Sequence, residues 1–321
     1  MNIIYNGEND EAFKSVLGSL IPQLCEEDPD TVYLDADLMS CIGTASYAKE
    51  HPDRAINCGI AEANMAGIAA GLSMAGMKPI IHTFGPFASR RCYDQIFLSG
   101  AYAGNSITVI GSDPGVTAAF NGGTHMPFED MALYRAIPEA TVIEVTDAAL
   151  LRDVLKQCKD MPGIKYLRVP RKTNKKMYEA GSHFEIGKGI VTKENGKDCA
   201  VIASGIMTAM AMAAADILEK EGIKVTVIDM FTVKPLDEDL TVKAAKDCGC
   251  VVTCENHNKI GGLTAAVSEC LSAKYPTPVE HVAVEDVFGE VGPQDYLEKA
   301  FDLTPDHIVR QVKAAIARKQ G

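Results

Sequence analysis

The sequence has no tryptophan, and aromatic residues fill only 6% of its 321 positions. Any cluster of rings is therefore informative, and an aromatic stacking surface for nucleic acid has little to be built from. Basic residues are the minority charge: 31 Lys and Arg against 43 Asp and Glu leave a net charge of −12. Phosphate-backbone binding needs a basic face, so that class is disfavoured, whereas a small anionic ligand needs only local positive charge. The longest uncharged apolar run, residues 199–215, contains Ser204, Gly205 and Thr208 and is short for a membrane span. It reads as a buried strand turning into a helix. Residues 1–13 are polar and do not form a signal peptide. The ten cysteines are scattered, which suits free thiols in a reducing cytoplasm rather than a disulfide framework.

Several familiar signatures are missing as well. No G-x-G-x-x-G follows a strand, and no glycine-rich loop ends in Lys-Ser or Lys-Thr. There is no H-E-x-x-H and no G-x-S-x-G elbow. Dehydrogenase, P-loop, zincin and hydrolase chemistries lose most of their support.

Apolar content is ordinary at 47%, and the length allows two domains. Strands rich in Val and Ile are expected at 31–34, 79–81, 106–110, 141–145 and 165–169, with helices at 62–74 and 147–158. Basic residues then crowd around Arg171, Lys172, Lys175 and Lys176 beside Pro170, Gly181 and Ser182. After this segment, strands at 199–203, 224–229, 251–254 and 280–284 alternate with helices at 208–221, 240–248, 264–273 and 308–318. The pattern predicts α/β architecture: two doubly wound domains, each a mainly parallel sheet with helices on both faces. The expected division is a first domain over 1–175, a linker over 176–186 and a second domain over 187–321.

Three segments carry chemistry. Glu62 is the only charged residue between Arg54 and Lys78, in the run Gly59-Ile60-Ala61-Glu62-Ala63-Asn64-Met65. A carboxyl group on a small-residue apolar helix is costly to ionise and could hydrogen-bond a ligand nitrogen. The same spacing also fits a helix cap, with Gly59 at N-cap and Glu62 at N3. Phe84, Phe87 and Tyr93 concentrate rings just after a strand, either to hold a planar ligand or to fill core. The glycine-rich stretch from Gly111 to Pro127 presents His125 on a loop at a strand end, where α/β sheets bind ligands. An isolated loop histidine is also a common surface residue. Cys248, Cys250, Cys254 and His257 fit no standard zinc spacing, so no metal site is assigned to this chain.

Taken together, residues 54–65, 83–95 and 129–132 resemble the C-terminal half of a transketolase, and the likeness runs over essentially the whole chain. The resemblance implies a pyrimidine-binding domain followed by the family's C-terminal domain, with thiamine diphosphate as cofactor. It implies that Glu62 hydrogen-bonds the aminopyrimidine and favours the tautomer that activates the thiazolium. Phe87 would stack on the pyrimidine, Phe84 would line the pocket, and Asp37 would lie near the cofactor at a subunit boundary. His125 would face substrate oxygens and assist proton transfer, and Arg168 would hold a substrate phosphate; without the resemblance Arg168 reads as a strand-end surface charge. Two substrate-binding positions depart from the family pattern: Asp113 stands where the family has a histidine, and Asn121 where it has an aspartate. The expected reaction moves a two-carbon ketol unit from a ketose or its phosphate to an aldose acceptor, with an unusual sugar as donor or acceptor.

No Gly-Asp-Gly diphosphate signature occurs in the chain. The expectation is one subunit of a split transketolase, completed by an N-terminal subunit that binds diphosphate and Mg2+ or a similar ion, in an α2β2 assembly. Alternatives are the β subunit of a 2-oxoacid dehydrogenase, a deoxyxylulose phosphate synthase type of enzyme, or a non-catalytic regulatory subunit of the same fold.

Overall fold

The computed structural model describes residues 2–320. The first sheet is built from β1 (Thr31–Asp35), β2 (Ala55–Asn57), β3 (Lys78–Phe84), β4 (Ile107–Ser112), β5 (Thr141–Glu144) and β6 (Ile164–Val169). The second holds β7 (Ile190–Glu194), β8 (Cys199–Ala203), β9 (Val225–Asp229), β11 (Val251–Asn258) and β12 (Val279–Val284). Between β9 and β11 the short β10 (Thr232–Lys234) leaves its own domain and joins the first sheet.

The first sheet runs in the order β10-β5-β6-β4-β3-β1-β2, and β1 to β6 are mutually parallel. Every residue of β4 and β6 is buried, as expected of central strands covered by helices on both faces. The second sheet runs β12-β11-β8-β9-β7. Among the described strands of the two sheets, antiparallel pairing is confined to β10 with β5 and β7 with β9, so both sheets are mixed but mostly parallel.

The chain passes from β1 to β2 on one side and returns to place β3 on the other. Such a reversal opens a crevice beyond the carboxyl ends of the strands. Asp35, Phe84 and Ser112 end β1, β3 and β4 along this rim.

The two domains share buried polar contacts. Thr146 and Tyr178 each donate a hydroxyl hydrogen bond to Asp229 Oδ2 at 2.7 Å, and the Glu144 amide donates to the Phe231 carbonyl at 2.9 Å. The segment between the sheets is ordered: Tyr178 is buried and bridges Ile3, and Lys175 bridges Asn9. Among the described residues no helix is long and apolar enough to cross a membrane.

Candidate functional site

The helix Glu62–Met74 begins with the glutamate itself, and Ala61 occupies the N-cap. Glu62 is thus the first helical residue, and the alternative capping-box geometry does not form. Its side chain is 2% exposed. Oε1 accepts a hydrogen bond from Arg91 Nη1 at 2.7 Å, whereas Oε2 is buried with no partner. A buried, unpaired carboxylate oxygen is unfavourable unless a ligand completes it.

The rings assemble beside it. Phe84 ends β3, and Phe87 opens the π-helical turn Phe87–Arg91. Their centroids are 6.3 Å apart, and His125 meets both edge-on, at 5.7 and 5.1 Å. Gly85 permits this approach, because a Cβ there would stand 2.7 Å from Pro127 Cγ on the loop that carries His125. The Arg91 guanidinium lies 3.8 Å from the Phe87 centroid while paired to Glu62, so one side chain ties carboxylate to ring.

Asp37 has φ of +64° and is exposed just past β1. It accepts a hydrogen bond from Asn57 Nδ2 at 2.9 Å, and Asn57 Oδ1 in turn accepts from the Gly59 amide at 2.9 Å. This chain leads to the start of the Glu62 helix. Asp37 and Asn57 also line a cavity of about 570 Å³.

Beneath the rim, His82 Nδ1 contacts Asp35 Oδ2 at 2.7 Å and its Nε2 contacts Ser112 Oγ at 3.0 Å, all fully buried. This pins the ends of β1, β3 and β4 together. The sequence gives His82 no role, because its partners are 47 and 30 residues away.

Asp113 and Asn121 do come together. Asp113 is 2% exposed, and Asn121 Nδ2 donates to its Oδ2 at 3.4 Å. Arg171 Nε donates to the same oxygen at 2.6 Å, so the carboxylate is met by a guanidinium rather than left to repel an anion. The Arg171 guanidinium also sits 5.0 Å from the Phe84 centroid. Asp113, Asn121 and Arg171 line a second cavity of about 470 Å³ together with Lys14, Ser40 and Lys172.

Arg168 does not reach this cavity, which corrects its expected role as the phosphate ligand. It is fully buried, with Nε donating to Asp130 Oδ2 at 2.8 Å, Nη1 to Glu144 and Nη2 to the Asn256 carbonyl at 3.0 Å. A guanidinium enclosed by two carboxylates and a carbonyl has no free face for an anion. Three residues later, Arg171 lines the cavity that Arg168 does not reach. No sequence signal marks Arg91, although it lies one helical turn after Phe87. Cys248, Cys250, Cys254 and His257 lie on or beside buried β11, and His257 Nδ1 contacts the Asn258 carbonyl at 2.7 Å. Burial pushes the His257 imidazole down to about 4.

Chemically, the arrangement offers a free carboxylate oxygen, Oε2 of Glu62, beside the Phe84, Phe87 and His125 rings, a combination suited to a flat heterocycle with a ring nitrogen. Fold and site together define an α/β protein with a candidate ring-binding site at a sheet's carboxyl rim. The transketolase pyrimidine-binding domain model matches residues 11–176, and the transketolase C-terminal domain model matches residues 187–308. The chain is 44% identical over 300 residues to the 6-deoxy-6-sulfo-D-fructose transketolase subunit SqwH of Clostridium sp. (strain MSTE9), covering 94% of this chain and 93% of that one. It is 36% identical over 298 residues to a putative transketolase C-terminal section of Methanocaldococcus jannaschii, covering 92% and 93%. A solved split gene transketolase, described as an inactive beta4 tetramer, superposes with a TM-score of 0.88 at 38% identity over 97% of this chain and 99% of that one. The chain belongs to the transketolase family, as a C-terminal subunit of the split-gene kind that carries the pyrimidine-binding domain.

Proposed function

We propose that this chain supplies the pyrimidine half of a ketol-transferring active site. A separate N-terminal subunit completes it, holding the cofactor diphosphate and Mg2+ or a similar ion, in an α2β2 assembly. The observation that carries this reading is the unpaired, buried Oε2 of Glu62 beside the Phe84–Phe87–His125 cluster. When bound, thiamine diphosphate would supply the nucleophilic carbon needed to cleave a ketose between C2 and C3. In this reading Glu62 hydrogen-bonds and orients the aminopyrimidine, Phe84 and Phe87 fix its plane, and Asp37 borders the cofactor at the subunit boundary. His125 faces the sugar hydroxyls, where a half-buried imidazole can hold or move a proton.

The donor class follows from the second cavity. Lys14, Arg171 and Lys172 outnumber Asp113 there, which favours a sugar ending in an anion. A phosphate and a sulfonate share that chemistry, and the Clostridium relative bears the name of a sulfosugar. With Asp113 and Asn121 lining the cavity, we expect a donor other than the ordinary pentose phosphates. The ten free cysteines support a cytoplasmic setting.

The test is Glu62→Gln in the complex reconstituted with its partner, thiamine diphosphate and magnesium. Turnover should fall by about 10²-fold or more while assembly persists. Unchanged turnover, or a wild-type complex inert toward every ketose and 2-oxoacid offered, would instead favour a regulatory subunit.

A further inference from the structure

The loop that carries Asp113 and Asn121 is strained. Within ten residues, Asp113, Gly115, Ala119 and Gly122 take φ of +56°, +52°, +49° and +76°. Two of these are not glycine, and left-handed backbones of that kind persist only where surrounding structure over-determines them. The restraint comes from the second domain.

Asn256 lies in β11 and is fully buried. Its Oδ1 accepts a hydrogen bond from the Val116 amide at 2.9 Å, and its Nδ2 donates to the Pro114 carbonyl at 3.0 Å. The amide therefore clamps the loop backbone on both sides of Gly115. A Cβ on Gly115 would stand 2.1 Å from Asn256 Oδ1, so the absence of a side chain there is what lets the clamp close. The Asn256 carbonyl is in turn held by Arg168. The far end of the loop is braced too: a Cβ on Gly122 would lie 2.6 Å from Val291, and one on Gly123 would lie 2.4 Å from the Gly289 carbonyl.

We propose that Asn256 is a positioning residue, through which the C-terminal domain sets the conformation of the sugar-facing loop 113–125 and hence the placement of Asp113, Asn121 and His125. This rests on the reading above that this loop faces the sugar. Arg168 belongs to the same device, fixing the strand that presents Asn256. The Glu62–Arg91 pair lies outside it.

The experiment compares wild type, Asn256→Asp and Val291→Ala in the complex with its N-terminal partner. Asn256→Asp preserves the acceptor for Val116 and removes the donor to Pro114. Val291→Ala loosens the other end of the loop from an exposed position and leaves the core untouched. Amide hydrogen exchange over 113–126 should accelerate about tenfold in both variants, with 62–74 unchanged. kcat/KM for the sugar donor should fall about tenfold, with thiamine diphosphate affinity within about twofold of wild type. Unchanged exchange over 113–126 overturns the proposal, as does faster exchange with an unaltered kcat/KM, or an equal loss of cofactor affinity. Should wild type turn over no sugar, the transferase reading fails, while the exchange data still decide whether Asn256 holds the loop.

Discussion

Arg168 and Arg171 stand three residues apart at the end of one strand, one fully enclosed and the other lining a cavity. Arg168 neutralises Asp130 and Glu144 where no water can, so Arg168→Ala leaves two buried carboxyl groups without their cation. A loss of about 3–5 kcal/mol in unfolding free energy is expected, measured by urea denaturation. Arg171→Lys keeps the charge beside Asp113 but loses the planar fork. Its thermal midpoint should stay near wild type while KM for a phosphate- or sulfonate-ended ketose rises about tenfold and KM for a neutral-ended one changes little. Equal KM values for both donor types in wild type and Arg171→Lys would remove Arg171 from substrate recognition. Glu62 shows a similar division within one side chain: Oε1 is committed to Arg91, and Oε2 is available.

At the scale of elements, the helix Glu62–Met74 is apolar nearly all round, which a helix on a protein surface normally is not. Asn64, Gly67, Ile68, Gly71 and Met74 face outward without a charge among them, and Leu98 and Tyr102 extend the patch from the adjoining helical segment Ile96–Tyr102. Nothing lies within 4 Å of a Cβ placed on Gly71. Alanine there should raise the thermal midpoint of the isolated chain by a few degrees, since it gains about 1 kcal/mol of helix propensity. If the partner subunit covers this face closely, Gly71→Ala should also weaken its binding, measurable by analytical ultracentrifugation. Tighter or unchanged binding would place the partner elsewhere. This helix was legible in the sequence to the residue, because the run free of charge around Glu62 marks it. The helix Phe13–Glu27 was not legible, since Pro22 interrupts its pattern. Neither was β10, three residues long and formed only against β5 of the other domain.

At the scale of the whole molecule, the domain boundary is held by buried polar groups that titrate abnormally. Asp229 faces Tyr178, Thr146 and Thr208, with Asp147 nearby, and burial pushes its carboxyl up to about 7 from an ordinary 3.8. Between those values the folded chain holds a proton that the unfolded chain has released. Stability from this group is therefore full below about pH 4 and declines as pH rises toward 7. Asp229→Asn should flatten that decline, so the gap between variant and wild-type thermal midpoints should shift in the variant's favour from pH 4.5 to about 7.5. His257 acts in the opposite direction, losing stability as pH falls from 6.5 toward about 4, but it is common to both proteins and drops out of the comparison. A gap that does not vary with pH would mean that Asp229 is ionised in the fold.

The sequence by itself determined the α/β alternation, the family, and the carboxylate and rings that gather at the candidate site, because strand periodicity, a solitary carboxylate and clustered rings are local features of the chain. Tertiary structure decided which of two nearby arginines faces the cavity, that Arg91 pairs with Glu62, and that Asn256 from the second domain clamps the loop. Those assignments depend on burial and on partners up to 142 residues apart, as between Pro114 and Asn256, which no spacing along the chain encodes.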